Sequence, residues 1–225
     1  MSQAKSAHAE PDARKAILDS ALALFANKGF HGTTMREIAV KAGISQGLLH
    51  HHFGSKDGLW KAVGDRTSEE FLTYVAEITD PARPPGISEA IATYIGYWKR
   101  HPAAFRINLW RLLEGQTKER QARSKMLTER SAPLMLRAQQ SGEVRSDVPA
   151  GLLLCIAGAA AQFWLHSQME IRDSLAAVGN PPVSEEEFIG YVLKLLAPPA
   201  LIARHDQKEN SRGRGSKSAP RRGSP

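Results

Sequence analysis

Apolar side chains recur at three- and four-residue intervals along most of the chain, and the breaks between runs fall at Gly, Pro and Asn. Ile17, Leu18, Ala21, Leu22, Leu24 and Phe25 form the first run, and Asn27-Lys28-Gly29 ends it, which predicts a helix over 12–28. Phe30, just beyond, can fold back against the helix end. Two short runs follow. Thr34 and Glu37 make a capping box, in which the hydroxyl accepts a helix-end N–H and the carboxylate reaches back to the Thr34 amide. A helix over 34–41 results, with Ile38 and Ala39 inward and Gly43 where it must stop. Ser45 caps the next, over 45–52, which turns Leu49 and Phe53 to the core. Two short helices joined by a tight Gly-containing turn form a helix-turn-helix.

A longer helix begins at Gly54 or Ser55 and keeps an apolar side through Leu59, Trp60, Val63, Phe71, Leu72, Val75 and Ile78 to about Thr79. At 1.5 Å per residue it spans roughly 37 Å, so it starts in the three-helix unit and ends well outside it. The Pro-rich break 80–86 precedes a helix over 87–100, with Ile91, Tyr94, Ile95 and Trp98 on one side. Further helices are predicted from Pro102 to Glu114-Gly115 and over 117–141, the latter kinked at Pro133. Another runs from Pro149 to about Leu175, apolar nearly all round in its first half. A second capping box, Ser184 with Glu187, opens the last, over 184–196. No segment has convincing strand periodicity. The fold class is therefore all-α, about nine helices, in which a long fourth helix joins an N-terminal helix-turn-helix domain to a C-terminal helical domain. The expected boundaries are a disordered arm 1–11, the helix-turn-helix domain 12–55, the C-terminal helical domain 56–200, and a basic disordered tail 201–225.

Composition adds little to this pattern until charge is located. The 225 residues are 42% hydrophobic and 24% charged, an ordinary globular balance. The formal charge of +7 suggests a polyanionic partner. Seven Lys and Arg against Asp206 and Glu209 lie in 203–225, however, which leaves +2 for all the rest. Cys155 is the only cysteine, so no internal disulfide forms, and its apolar surroundings predict a buried, inert thiol. The N-terminus has no apolar signal region, and the apolar run 150–165 falls short of the ~20 residues that a spanning helix needs. A cytoplasmic protein with no membrane partner is the expectation. His50-His51-His52 cannot hold a metal from one face, because successive helical side chains point about 100° apart. His52 is expected inward, and Gln46, Gly47, Leu48, His50 and His51 remain free to meet a partner. No phosphate loop, helical His-Glu metal motif or Ser-His-Asp set is visible, so neither an enzyme nor a cofactor or metal is expected.

The stretch AILDSALALFANKGFHGTTMREIAVKAGISQGLLHHHFGSKDGLWKAV, residues 16–63, resembles the TetR family of bacterial transcriptional repressors. The order Gly-Phe, Gly-Thr-Thr, Ile-Ala, Ala-Gly-Ile-Ser, Gly-x-Leu, aromatic and Ser-Lys-x-x-Leu is kept without insertion. The resemblance implies a homodimer whose first three helices bind double-stranded DNA at a palindromic operator. Helices four to seven would enclose a small-molecule effector, and the last two would pair across a two-fold axis. It implies a phosphate contact for Thr34 and Lys56, in some members a base contact for Arg36, and a recognition helix that begins at Ser45, Gln46, Gly47 and Leu48. Chemically, Gln can bond an adenine edge, Arg can fork onto guanine, and Leu can meet a thymine methyl. His50 stands where the family usually carries a Tyr. The DNA-facing candidates are thus Thr33, Thr34, Arg36, Ser45, Gln46, Gly47, Leu48, His50, His51 and Lys56.

Pocket candidates are the aromatics Phe71, Tyr74, Tyr94, Trp98, Phe105, Trp110 and Trp164, with His166. Gly151, Leu154, Gly158, Ala161, Leu165, Phe188, Tyr191, Val192 and Leu195 are candidates for the dimer interface. The expected function is a DNA-binding repressor released by a small molecule. An effector-independent architectural DNA-binding protein, and behind it a helical enzyme that carries a helix-turn-helix, are the rival readings.

Overall fold

The first helix, α1, occupies Ala4–Lys28, so it begins eight residues before the predicted start and takes in most of the expected irregular arm. The Ala-rich stretch before Asp12 has high intrinsic helix propensity, and the helix runs through Pro11. This computed structural model describes residues 4–80, 82–113 and 118–198, without the side chains of 4–11 and 119. The expected basic tail, Met1–Gln3 and the Glu114-Gly115 stop lie outside the described residues.

Ten helices are described, with no strand among the described residues. After α1 come α2 (Met35–Ala42), α3 (Gln46–Phe53), α4 (Lys56–Ile78), α5 (Ile87–Arg100), α6 (Pro102–Leu113) and α7 (Lys118–Gln140). α8 (Ala150–His166), α9 (Gln168–Ala177) and α10 (Glu185–Leu196) complete the set. The single helix expected over 149–175 is two, α8 and α9, which meet at a 91° bend. At the bend the Ser167 hydroxyl bonds His166 Nδ1 at 2.8 Å, and the Gln168 side-chain amide donates to the Trp164 carbonyl. The Gln168 amide thereby satisfies a backbone carbonyl at the end of α8. Pro133 lies inside α7, which continues through it. Among the described residues no single helix is long and apolar enough to cross a membrane; α8 and α9 reach that length only as the bent pair.

The chain divides into two units. One comprises residues up to Pro84 with Thr93–Glu129, the other Pro85–Ala92 with residues from Arg130 onward. The boundary expected between 55 and 56 is therefore not where the division falls. The reason is packing. Leu59, Trp60 and Val63 of α4 and Ile107 of α6 are buried in the same core as Ile17, Leu18, Ala21, Phe25, Ile38, Ala39 and Leu49. Each large apolar side chain buried there contributes roughly 1.5–3 kcal/mol, so the three N-terminal helices draw much of their core from α4 and α6. Gly29 shows how close α6 comes. It ends α1 at φ +70°, and a Cβ there would stand 2.9 Å from the ring of Trp110. The Trp110 indole N–H also donates to the Ala26 carbonyl at 3.2 Å.

In the second unit, Leu153, Ala157, Ala161 and Trp164 form the buried side of α8, and Ile189, Val192 and Leu196 that of α10. Trp164 stacks on Phe188 at 4.5 Å, and its indole donates to Glu185 Oε2 at 3.2 Å. The Arg145 amide donates to the Leu196 carbonyl at 2.8 Å, which ties the loop after α7 to the end of α10.

Candidate functional site

The helix-turn-helix is built by its caps. Thr34 Oγ1 accepts from the Glu37 amide at 3.2 Å and Glu37 Oε2 accepts from the Thr34 amide at 2.9 Å, the capping box read from sequence. Gly43, at φ +69° and ψ 30°, ends α2, and its N–H returns to Ala39 and Val40 carbonyls. Ser45 caps α3 by accepting from the Leu48 amide at 3.2 Å. Leu49 then points into the core, while Gln46, Gly47, His50 and His51 are exposed, together with Arg36 on α2. Leu48 is half-buried. A Cβ built on Gly47 would meet only the Ser45 hydroxyl, at 3.9 Å, so this face lies open to close approach.

Four candidates are more engaged than the sequence suggests. Thr33 is fully buried at 0% exposure, and its hydroxyl donates to the Gly29 carbonyl at 2.9 Å. It is a structural residue and leaves the DNA-facing set. Thr34 also donates its hydroxyl proton to Glu37 Oε2 at 2.9 Å, so the seat at the start of α2 already holds a carboxylate. That carboxylate is held down to about pKa 2, chiefly by a hydrogen bond from Lys28, with the Thr34 amide and hydroxyl adding to it. Lys56 bonds the Thr33 carbonyl at 3.0 Å and lies 4.3 Å over the Phe30 ring. It braces the turn before α2 whatever else it touches. His50 closes α3, with Nδ1 2.8 Å from the Gly54 carbonyl. His52 is half-buried, as expected.

Farther along α4, two arginines grip the helix. Arg111 of α6 is 6% exposed; it donates to the Trp60 carbonyl at 2.9 Å and lies 5.1 Å over the Trp60 ring. The Gly64 side of α4 is where its guanidinium packs, and a Cβ there would overlap it. Arg123 of α7 donates to the Gly64 carbonyl, to Ser68 Oγ at 2.8 Å and to Asp65 Oδ1 at 3.0 Å. Burial pushes the Asp65 carboxyl up, but hydrogen bonds and charge from Lys61 and Arg123 prevail and lower it. Neither arginine was singled out in the sequence; Gly64 within an otherwise regular helix was the available signal of close approach.

One turn beyond lies the aromatic cluster. Phe71 stacks on Trp98 at 5.4 Å and meets Tyr94 edge-on at 5.7 Å, and Trp98 reaches Phe105 at 6.1 Å. Tyr74 contacts Tyr97 at 5.1 Å and accepts a hydrogen bond from Arg100. Five of the eight pocket candidates thus come together, around Tyr97, which was not among them. Trp110 does not join; it packs on the end of α1. Trp164 and His166 belong to the second unit. There Trp164 lines a groove of about 200 Å³ with Gln168, Met169, Ile171, Arg172 and Leu175.

The residues expected at a dimer face do not share one exposed side. Ala161 and Val192 are buried within their own unit, and Leu154, Gly158, Leu165 and Phe188 are half-buried. Exposed instead are Gly151, Leu152, Cys155, Ile156, Ala159 and Phe163 on α8, with Tyr191 and Leu195 on α10. Cys155 is therefore exposed, contrary to the expectation of a buried thiol. Because α8 is apolar on every side, its sequence cannot show which side α10 covers. No His, Cys, Asp and Glu cluster able to hold a metal occurs among the described residues.

Comparison with known proteins follows the same division. The profile of bacterial regulatory proteins of the tetR family matches residues 17–63, and that of the tetracyclin repressor-like C-terminal domain matches 90–186. The HTH-type transcriptional repressor AcnR of Corynebacterium diphtheriae is 26% identical over 144 residues, 62% of this chain and 72% of the relative. The HTH-type transcriptional regulator RutR of Escherichia coli is 33% identical over 103 residues, 45% of this chain and 49% of its own length. Among solved structures, AibR in complex with isovaleryl coenzyme A and operator DNA superposes with a TM-score of 0.61 at 21% identity, covering 83% of this chain and 99% of that one.

Proposed function

The chain belongs to the tetR family of bacterial regulatory proteins, and from that premise we propose that it is a homodimeric, cytoplasmic transcriptional repressor released from a palindromic operator by a small molecule. The observation that carries this reading is the open face of α3. Gln46, Gly47, His50 and His51 are exposed there beside Arg36, while the caps and Leu49 fix the helix that presents them. Side chains held on a rigid helix can read base edges, and Gln46 and Arg36 have the hydrogen-bonding geometry for adenine and guanine.

Two copies would place their α3 helices in successive major grooves, ~34–36 Å apart. The exposed apolar stripe on α8, continued by Tyr191 and Leu195 of α10, is the surface through which they would pair. An apolar face of that kind is unfavourable in water and fits a self-complementary two-fold contact. The effector would act through the aromatic cluster, since α4 carries Phe71 and Tyr74 as well as Lys56. AcnR is by name a repressor, and AibR is by description bound to both an acyl-coenzyme A and operator DNA, which supports the ligand-responsive reading.

Selection of bound sequences from a random DNA pool tests it. A two-fold symmetric motif with half-sites about one helical turn apart is expected. Enrichment of nothing, or of an asymmetric motif, would overturn the reading.

A further inference from the structure

Tyr97 and Trp98 are consecutive residues of α5, 2% and 5% exposed, with their rings 4.9 Å apart and nearly perpendicular. The Tyr97 hydroxyl and the Trp98 indole N–H are both buried, and neither has a hydrogen-bond partner. Buried polar groups are nearly always paired, because an unpaired one keeps the full penalty of leaving water. An indole N–H can only donate. Burial, and secondarily the charge of Glu70, raises the Tyr97 phenol to about 12, so it too keeps its proton. The cluster is therefore rich in donors and short of an acceptor.

We propose that the aromatic cluster of Phe71, Tyr94, Tyr97, Trp98 and Phe105 takes an uncharged, flat, largely apolar molecule whose single carbonyl oxygen is bound by the Tyr97 hydroxyl and the Trp98 indole N–H. The inference rests on the ligand-responsive reading above and adds the class of the effector. Charge bears on the alternatives. Among the described residues the one buried cation is Arg111, already bonded to the Trp60 carbonyl, and Arg100, beside the cluster, is exposed and already bonded to the Tyr74 hydroxyl. A carboxylate taken to the Tyr97 and Trp98 donors would lose its water without gaining a buried opposite charge. A cation would face the positive ends of both unpartnered groups. A neutral carbonyl satisfies them and needs no counter-charge. The ring faces of Phe71, Trp98 and Tyr97 favour a flat guest, which associates with aromatic surfaces by offset or edge-on contact. To enter, it must part Phe71 from Trp98, and so displaces a residue of α4.

The full-length protein is titrated calorimetrically with three probes of one shape: 2-acetylnaphthalene, 2-isopropenylnaphthalene and 2-naphthoate. The ketone should bind at least about tenfold more tightly than the isopropenyl compound, which replaces only the oxygen, since leaving a buried donor unpaired costs on the order of tenfold in affinity. Naphthoate should bind more weakly than the ketone. Tyr97→Phe should narrow the ketone-to-alkene ratio by lowering ketone affinity, and Trp98→Phe should narrow it too while weakening both probes, since it also removes ring surface. Tyr97→Phe removes only an unpaired hydroxyl, so it should keep or raise the melting temperature of the free protein. A ratio near one, the same ratio in Tyr97→Phe, tighter naphthoate, no binding of the ketone, or a clear loss of stability in Tyr97→Phe overturns the proposal. Failure here with a symmetric operator still selected, and released by some other compound, refutes the effector class alone. Absence of any operator refutes the reading beneath it.

Discussion

Gly64→Ala should destabilise this protein, although the same change stabilises most helices. In the middle of α4 the substitution would ordinarily gain about 1 kcal/mol of helix propensity. Here the new methyl would overlap the guanidinium of Arg111, which is 6% exposed and bonded to the Trp60 carbonyl at 2.9 Å. The guanidinium must move. Losing a hydrogen bond to a charged group costs about 1.5–3 kcal/mol, and overpacking a filled site costs about 1–3 kcal/mol more. After the propensity gain the net loss is roughly 2–5 kcal/mol. Urea unfolding followed by circular dichroism, at fixed subunit concentration, measures it. A double-mutant cycle isolates the cause: in an Arg111→Met background the obstacle is gone, and Gly64→Ala should become neutral or stabilising. Stabilisation by Gly64→Ala alone, or an equal cost in both backgrounds, would refute the close packing of α6 on α4.

At the DNA face, Gln46→Ala should lower operator affinity and relax one base position by about 1–3 kcal/mol; unchanged discrimination in a binding-site selection removes Gln46 from the readout. His50 Nδ1 lies 2.8 Å from the Gly54 carbonyl, so His50→Ala should loosen the end of α3 and cost about 0.5–1.5 kcal/mol of stability; an unaltered unfolding free energy shows that bond to be idle. Glu37 is held at about 2 against an ordinary 4.5, so its contribution is complete above pH 4.5 and is lost as pH falls towards 2. Glu37→Gln should flatten unfolding free energy over that acid range, and an unaltered pH profile would show the ion pair with Lys28 to be idle. If α8 forms the dimer face, the Cys155 thiol should react slowly with a maleimide in the dimer and quickly after dilution to monomer; a rate independent of concentration across that transition rules the face out.

What could be read in advance was whatever depends on neighbours in sequence. Both capping boxes, the Gly43 stop and the inward side of α2 were legible because each is set within a few residues, and the structure has them. Thr33 was misread although its hydroxyl partner, Gly29, is only four residues back, because the closure of that turn by Lys56, 23 residues on, is not legible from the neighbours. The bend at Ser167 was missed because apolar periodicity only fades there, with no Gly or Pro to mark it. α8 marks the sharper limit. A helix apolar on every side has no polar stripe to orient it, so Ala161 was expected at the dimer face and Cys155 inside, whereas Ala161 is buried and Cys155 exposed. Trp110 looked like one more pocket aromatic, yet only the glycine at position 29 leaves room for its ring against α1.

These placements give α4 a definite task. Its 23 residues span about 34 Å, with Lys56 bracing the turn before α2 at one end and Phe71 and Tyr74 in the aromatic cluster farther along. Between them, Arg111 and Arg123 hold the Trp60 and Gly64 carbonyls and Ser68. A displacement carried along α4 from Phe71 meets this grip before it reaches Lys56. Regulation of occupancy by 5- to 150-fold requires a coupling of about 1–3 kcal/mol. One charge-assisted hydrogen bond is worth about as much. Breaking or keeping the Arg111–Trp60 bond would therefore suffice to separate a DNA-competent arrangement of α4 from an incompetent one, without any larger rearrangement of the core.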